Sequence, residues 1–268
     1  MRKATLLGAI AGDVIGSAYE FSPNKCYDFE LFTPHQNYTD DSLMTVAVAD
    51  WLMSSPERNT DDLIRIMQRM GRKYASPCGG YGPSFARWIQ SKNPQPYNSW
   101  GNGSAMRVSA CGFAYDTLEE TLAAARDSAI VTHNHPEGVK GAQATAAVIF
   151  LARNGKSKEE IREYVSDTFS YDLNRTCDEI LPRYTFDVSC MGTVPEAIIA
   201  FLESKDYEDA LRLTISLGGD ADTLGAITGA MAIAYYGEMS DEIYDYAISK
   251  LPKDLLEIVE RFDKLYHL

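Results

Sequence analysis

The sequence predicts an all-α protein, a single domain over residues 1–268. Three observations carry this. Apolar residues recur at helical spacings, hydroxyl or acidic caps stand ahead of such runs, and alternating β-branched stretches are nearly absent.

From the N-terminus, Gly8, Gly12 and Gly16 recur every fourth residue within Ala4 to Ala18. On a helix they form one smooth stripe. Glycine costs about 1 kcal/mol relative to alanine in a helix interior, so three of them imply a packing reason. Gly225, Ala226, Gly229 and Ala230 repeat the pattern near the C-terminus. The two faces either pack on each other or pack separately against bulky side chains, and the sequence leaves both open. Asp13 and Glu20 would share a face if the first helix ran that far. Asp13 alone reads as a buried acid that bonds backbone. Glu20, just before Phe21-Ser22-Pro23, could reach into a cleft.

Further along, Thr39-Asp40-Asp41-Ser42 precedes an apolar run from Leu43 to Leu52. Thr60-Asp61-Asp62 opens a helix with Leu63, Ile66, Met67 and Met70 on one face. Capping boxes are expected at Thr117…Glu120, Ser157…Glu160 and Thr193…Glu196, and caps at Asp206 and Ser240. Tyr184 to Met191 is the one stretch that resembles a strand. The segments Phe21 to Tyr38, Ala75 to Pro83 and Lys92 to Gly103 are rich in Gly, Pro, Asn or aromatic residues. They read as long loops that build a site.

The balance of 25 Lys and Arg against 38 Asp and Glu gives a net charge of −13. Nucleic-acid binding through phosphate neutralisation is therefore not expected. The five cysteines show no CxxC spacing, so reduced thiols in a cytoplasmic protein are the simplest reading. Met1-Arg2-Lys3 and the apolar run after it have the outline of a signal peptide. Asp13 interrupts that run and no cleavage site follows, so none is expected. Leu224 to Tyr236 is shorter than the ~20 residues of a membrane span and reads as a buried helix. No coiled-coil seam is evident, and a monomer is expected.

Two acidic clusters carry the chemistry. Asp40-Asp41 at a helix start would, alone, be a cap and a dipole partner. Gly218-Gly219-Asp220-Ala221-Asp222-Thr223 changes that reading. Its glycines let the chain bend, and an Asp-x-Asp can aim both carboxylates at one ion. Four carboxylates and the hydroxyls of Thr39 and Thr223 would suit two hard cations, Mg²⁺ or Mn²⁺. The stretch lacks the EF-hand pattern, which argues against a calcium loop. Gly101 and Gly103 permit close approach of a phosphate to backbone; an ordinary Asn-Gly turn is the alternative. His133 and His135 read as loop histidines. Phe21, Tyr81 and Trp100 could stack on a base or pack in the core.

Together these segments resemble the ADP-ribosylglycohydrolase family, which includes dinitrogenase reductase-activating glycohydrolases and ADP-ribosylserine and ADP-ribosylarginine hydrolases. The matching stretches are Gly8 to Gly16 with Glu20, Thr39-Asp40-Asp41, Gly101 to Arg107, Thr132-His133 and Gly219 to Thr223, in the family's order. The resemblance implies a compact orthogonal helical bundle around two Mg²⁺ or Mn²⁺ ions. Glu20, Thr39, Asp40, Asp41, Asp220, Asp222 and Thr223 would hold the metals, with Glu20 on a gating flap. Trp100, Gly101, Asn102, Gly103, Ser104, Ala105 and Met106 would cradle diphosphate and ribose, with His133 and Tyr81 near the ligand. The implied activity is hydrolysis of the C1″ bond between ADP-ribose and a protein side chain or small molecule, with Asp40 or Asp41 activating water. Arginine-directed relatives carry an acid in the segment matching Ala75 to Arg87. None is present here, which favours O-linked serine over arginine. A non-catalytic ADP-ribose reader and a metal-dependent phosphohydrolase are the rival readings.

Overall fold

The computed structural model describes residues 1–266. A two-stranded antiparallel pair, β1 (Arg2–Lys3) and β2 (Glu238–Met239), joins the chain start to a late turn. The remaining regular structure among the described residues is helical. In order come α1 (Leu6–Gly16), α2 (Asp40–Ser54), α3 (Thr60–Lys73), α4 (Pro83–Gln90) and the single turn α5 (Gly103–Met106). Next are α6 (Ser109–Ala114), α7 (Leu118–Ile130), α8 (Pro136–Arg153), α9 (Lys158–Phe169) and α10 (Cys177–Ile180). The last five are α11 (Cys190–Glu203), α12 (Tyr207–Ser216), α13 (Ala221–Tyr236), α14 (Asp241–Lys250) and α15 (Lys253–Tyr266). None is long and apolar enough to cross a membrane.

The glycine stripes decide the architecture. α1 and α13 form the most extensive helix pairing, antiparallel and backbone to backbone. A Cβ on Gly12 would run into the carbonyl of Gly225, and one on Gly229 into that of Gly8. Of the two packings the sequence allowed, the mutual one is adopted. α13 is also packed by α12, α11 and α8. A helix enclosed on every side needs no polar face, which accounts for its evenly apolar sequence.

The caps mostly fall as the sequence indicates. Thr117, Ser157, Asp206 and Ser240 each accept a backbone N–H in the first turn of the helix that follows, and Ser157…Glu160 forms the full box. The Thr117…Glu120 box is half made, since the Glu120 carboxylate accepts from Thr117 Oγ1 and not from its N–H. Three expectations are corrected. Thr193 lies inside α11, which is capped by Ser189, and Glu196 instead pairs with Arg175 at 2.7 Å. Tyr184 to Ser189 is irregular, with one bridge from Ser189 to Gly101, because no neighbouring strand is available to pair with it, and Cys190 and Met191 open α11. α1 stops at Gly16, so Glu20 is carried by the turn beyond it and shares no helical face with Asp13.

Candidate active site

The α1–α13 pairing brings the end of one helix to the start of the other. Gly16 lies against Ala221, so the turn carrying Glu20 meets the turn carrying Asp220 and Asp222. Gly218, at φ +69°, makes the bend before Asp220 in a conformation that favours glycine. The start of α2 is fixed to α1 by Asp13. This wholly buried carboxylate accepts from the Thr39 N–H at 3.0 Å and Thr39 Oγ1 at 2.7 Å. It also accepts from the Ser42 N–H at 3.0 Å and from Ser42 Oγ. Thr39 Oγ1 in turn caps α2 through the Asp41 N–H.

Asp40 and Asp41 thus occupy the first turn of α2, while Asp220 and Asp222 flank the start of α13. Helix N-termini favour negative charge. Glu20, Asp220 and Asp222 offer carboxylate oxygens within 4.8 Å of one another. Asp220 accepts from Asn102 Nδ2 at 2.7 Å. Asp41 Oδ1 is buried with no hydrogen-bond partner.

The electrostatics follow from this crowding. Burial first, and then the charges of Asp222 and Asp13, push Glu20 up to about 8. Burial likewise pushes Asp220 up to about 6, against the lowering effect of its bonds to Asp222 and Asn102. Asp40, Asp41 and Asp222 are raised well above the usual carboxylate range, by burial first, and then by Asp222 for Asp40 and Asp41 and by Asp220 for Asp222. An opposite charge nearby would lower all five.

These acids form the floor of a cleft of about 680 Å³. Of the residues expected at the site, Glu20, Asp40, Asp41, Tyr81, Trp100, Gly101, Asn102, Gly103, Met106, His133, Asp220, Asp222 and Thr223 line it. Thr39 lies just behind Asp41 and is fully buried. Ser104 and Ala105 are buried beneath the loop, and Ser104 Oγ donates to the Gly138 carbonyl. The helix there opens at Gly103 and lasts one turn. Phe21 and Trp100 stand at the cleft, 70% and 47% exposed, and His135 serves as the cap of α8.

Sequence reasoning missed Tyr97, Phe186 and Val188 on the wall. The apolar residues of Phe186-Asp187-Val188 were the available signal, but they read as half of a strand. Phe186 instead stacks on Phe21, with ring centroids 6.4 Å apart.

The ADP-ribosylglycohydrolase profile matches residues 2–268. The ADP-ribosylhydrolase ARH3 of Xenopus tropicalis is 25% identical, over 98% of this chain and 95% of that protein. ADP-ribosylarginine hydrolase Tri1 of Pseudomonas putida (strain GB-1) is 26% identical, over 98% and 80%. Among solved structures, a chain of an ADP-ribosylglycohydrolase-related protein complex matches with TM-score 0.70 and 25% identity. That match covers 97% of this chain and 93% of the other.

Proposed function

The chain belongs to the ADP-ribosylglycohydrolase family, and we propose that it hydrolyses the C1″ bond of ADP-ribosylated targets over two divalent cations. The observation that carries this reading is the acid floor itself. Glu20, Asp40, Asp41, Asp220 and Asp222 converge in one cleft, and no lysine lines it. Its single arginine, Arg107, bonds Gly103, Ser128 and Thr132 and none of the acids.

Carboxylates taken from water without a counter-charge cost several kcal/mol each. Asp41 Oδ1, buried with no hydrogen-bond partner, is an oxygen that a bound cation would satisfy. An all-oxygen donor set suits Mg²⁺ or Mn²⁺. The residues fit two such ions, held by Glu20, Thr39, Asp40, Asp41, Asp220, Asp222 and Thr223. When bound, the ions would supply Lewis acidity for the hydroxyls of the proximal ribose and offset charge as the C1″ bond breaks.

The chain's own residues do the rest. Asp40 keeps partial access to the cleft whereas Asp41 is 2% exposed, so Asp40 is the better placed to take a proton from the attacking water. Glu20, half-buried beside Gly79 and carried by the turn after α1 rather than by a helix, is the floor acid that gates entry. Trp100 to Met106, with His133 and Tyr81, hold the ADP-ribosyl group. Residues 1–268 act as one domain, a reading supported by the packing of α1 on α13 and of α15 on α2.

The leaving group we propose is an O-linked serine. A linked guanidinium would gain from a carboxylate on the wall, which could hold it through a bidentate bond. The wall from Gly79 to Phe85 offers Tyr81 and Ser84, and every acid lining the cleft belongs to the floor. A relative named for ADP-ribosylarginine is 26% identical to this chain, and relatives not so named reach the same 26%, so identity does not separate the two leaving groups.

Mass spectrometry of products from serine- and arginine-modified peptides, with Mg²⁺, Mn²⁺ or chelator, tests all of this. Intact ADP-ribose is expected, released faster from serine and lost with chelator. Fast release from arginine alone would refute the serine assignment. Release of AMP or phosphate would refute glycosidic cleavage. Tight ADP-ribose binding without turnover of any conjugate would make the protein a reader.

A further inference from the structure

Beneath the Gly101–Gly103 loop runs a chain of buried polar groups that the acid floor does not use. Arg107 is 1% exposed. Its Nη1 donates to the Gly103 carbonyl at 3.0 Å, and its Nη2 to the Ser128 carbonyl at 2.7 Å and to Thr132 Oγ1 at 2.9 Å. Thr132 Oγ1 in turn lies 2.7 Å from His133 Nδ1.

The proton positions follow from donor chemistry. A guanidinium only donates, so Thr132 Oγ1 is the acceptor towards Arg107. The Thr132 hydroxyl faces His133 Nδ1 at 2.7 Å, with the Tyr97 hydroxyl as the other polar group beside it. Donation along the short Nδ1 contact requires that nitrogen to present its lone pair. The imidazole is neutral, because burial, and after it the charge of Arg107, holds its pKa well below the usual histidine range. Its single N–H is therefore on Nε2. That nitrogen lies 3.1 Å from where a Cβ on Gly103 would sit, and 3.6 Å from one on Gly101. His133 lines the cleft, so bare glycine leaves its Nε2–H reachable.

We infer that Arg107 and Thr132 are positioning residues that fix His133 as the Nε2–H tautomer, presenting a neutral donor to an acceptor oxygen of the ligand beside Gly101 and Gly103. The opposite tautomer would turn a lone pair towards that oxygen and repel it. The tautomer assignment is independent of the reaction. The use of the donor on a phosphate or ribose oxygen rests on the ADP-ribosyl hydrolase reading above.

The test is a two-bond ¹H–¹⁵N correlation of the imidazoles in the full-length ¹⁵N-labelled protein at pH 7, with His133 assigned by its loss in His133→Gln. Wild type should show the Nε2–H pattern. Thr132→Val should shift His133 to Nδ1–H or to a mixture, and Thr132→Ser should restore Nε2–H. In parallel, Thr132→Val should raise KM for an ADP-ribosylated peptide about tenfold with kcat little changed, and Thr132→Ser should rescue it. A purely structural Thr132 would lower thermal stability without moving the tautomer.

An Nδ1–H pattern in wild type overturns the inference, as does an unchanged tautomer in Thr132→Val. If the valine variant does not fold, the wild-type pattern and its retention in Thr132→Ser decide. If the tautomers behave as expected but no ADP-ribosyl compound is bound or hydrolysed, the positioning role stands and the proposed function falls.

Discussion

Asp220 and Asp222 stand at the start of a helix whose glycines meet the backbone of α1, whereas Gly80 and Gly82, in the loop before α4, have nothing within 4 Å of where a side chain would begin. The floor of the cleft is held by helix ends, buried hydrogen bonds and direct backbone contact. The wall is made of loops, small residues and exposed rings. A rigid floor keeps Asp40, Asp41, Asp220 and Asp222 at fixed separations without help from a ligand, as positioned chemistry requires, and leaves Glu20 on its turn to move. A loose wall can accommodate different attached groups. The bond to be broken is thus a matter for the floor, and the choice of leaving group one for the wall.

At the floor and just behind it, two neighbouring acids sharpen the contrast. Asp13 accepts from four donors, while Asp41 has a buried oxygen with none. One is satisfied by protein and the other awaits a partner. Asp41→Asn should lower kcat/KM on an ADP-ribosylated peptide by at least about 10²-fold, since even outer partners of metal ligands cost 10- to 100-fold. The same change should leave thermal stability in chelator equal to or above wild type, because it removes a repelling charge. Mg²⁺ at a hundred times its Kd should stabilise wild type by about 2.7 kcal/mol and the variant by much less. Asp13→Asn should instead destabilise by about 1–3 kcal/mol, with or without Mg²⁺, by leaving buried donors unmet. If Asp41→Asn unfolded as readily as Asp13→Asn, the two acids would be alike and the cation reading would lose its support.

Gly12→Ala tests the floor's backbone contact. The new methyl would meet the carbonyl of Gly225 with no flexible side chain to yield. A loss of about 3 kcal/mol, at the upper end for overpacking, is expected in denaturant unfolding. Activity should fall with it, because the start of α13 would move away from Glu20.

Much of the floor was legible before any coordinates. The four-residue spacing of Gly8, Gly12 and Gly16 signals a close helix contact, since only a missing Cβ brings backbones together. The acid pairs were legible because each follows a cap or glycine signal at a helix start. The wall was not. Phe186 and Val188 alternate as strand residues do, yet a strand needs a neighbour, and Gly101 supplies one bridge only. Thr193 and Glu196 have capping-box spacing, but Ser189 lies one turn earlier and takes the cap. The link from Arg107 to His133 joins residues on separate segments with no shared period, so only the fold reveals it.

His133 lies under the wall but behaves like the floor, being buried and held by a hydrogen bond. Its folded pKa is depressed, so below the unfolded value of about 6.5 the unfolded chain binds a proton that the native state refuses. Stability is therefore lost as pH falls through that range, by at most about 1.4 kcal/mol at pH 5.5 for this one group. Urea unfolding of wild type and His133→Gln at pH 7.5 and 5.5 measures it. The variant's stability should fall less over that interval, and an equal fall in both would return His133 to an ordinary solvated loop.

The smallest effect should come from one of the wall's glycines, and the pair separates strain from crowding. Gly80 and Gly82 have equally open surroundings, but Gly80 sits at φ +82°. Gly82 caps α4 with φ −53°, which any residue adopts. Gly80→Ala should cost about 1–2 kcal/mol from backbone strain alone. Gly82→Ala should be neutral to stabilising by at most about 1 kcal/mol, since it restricts the unfolded chain without a clash. Thermal unfolding of both, set beside Gly12→Ala, orders the three glycines by what each lacks room for. A large loss in Gly82→Ala would mean that the wall is packed as tightly as the floor, and the division of labour between them would fail.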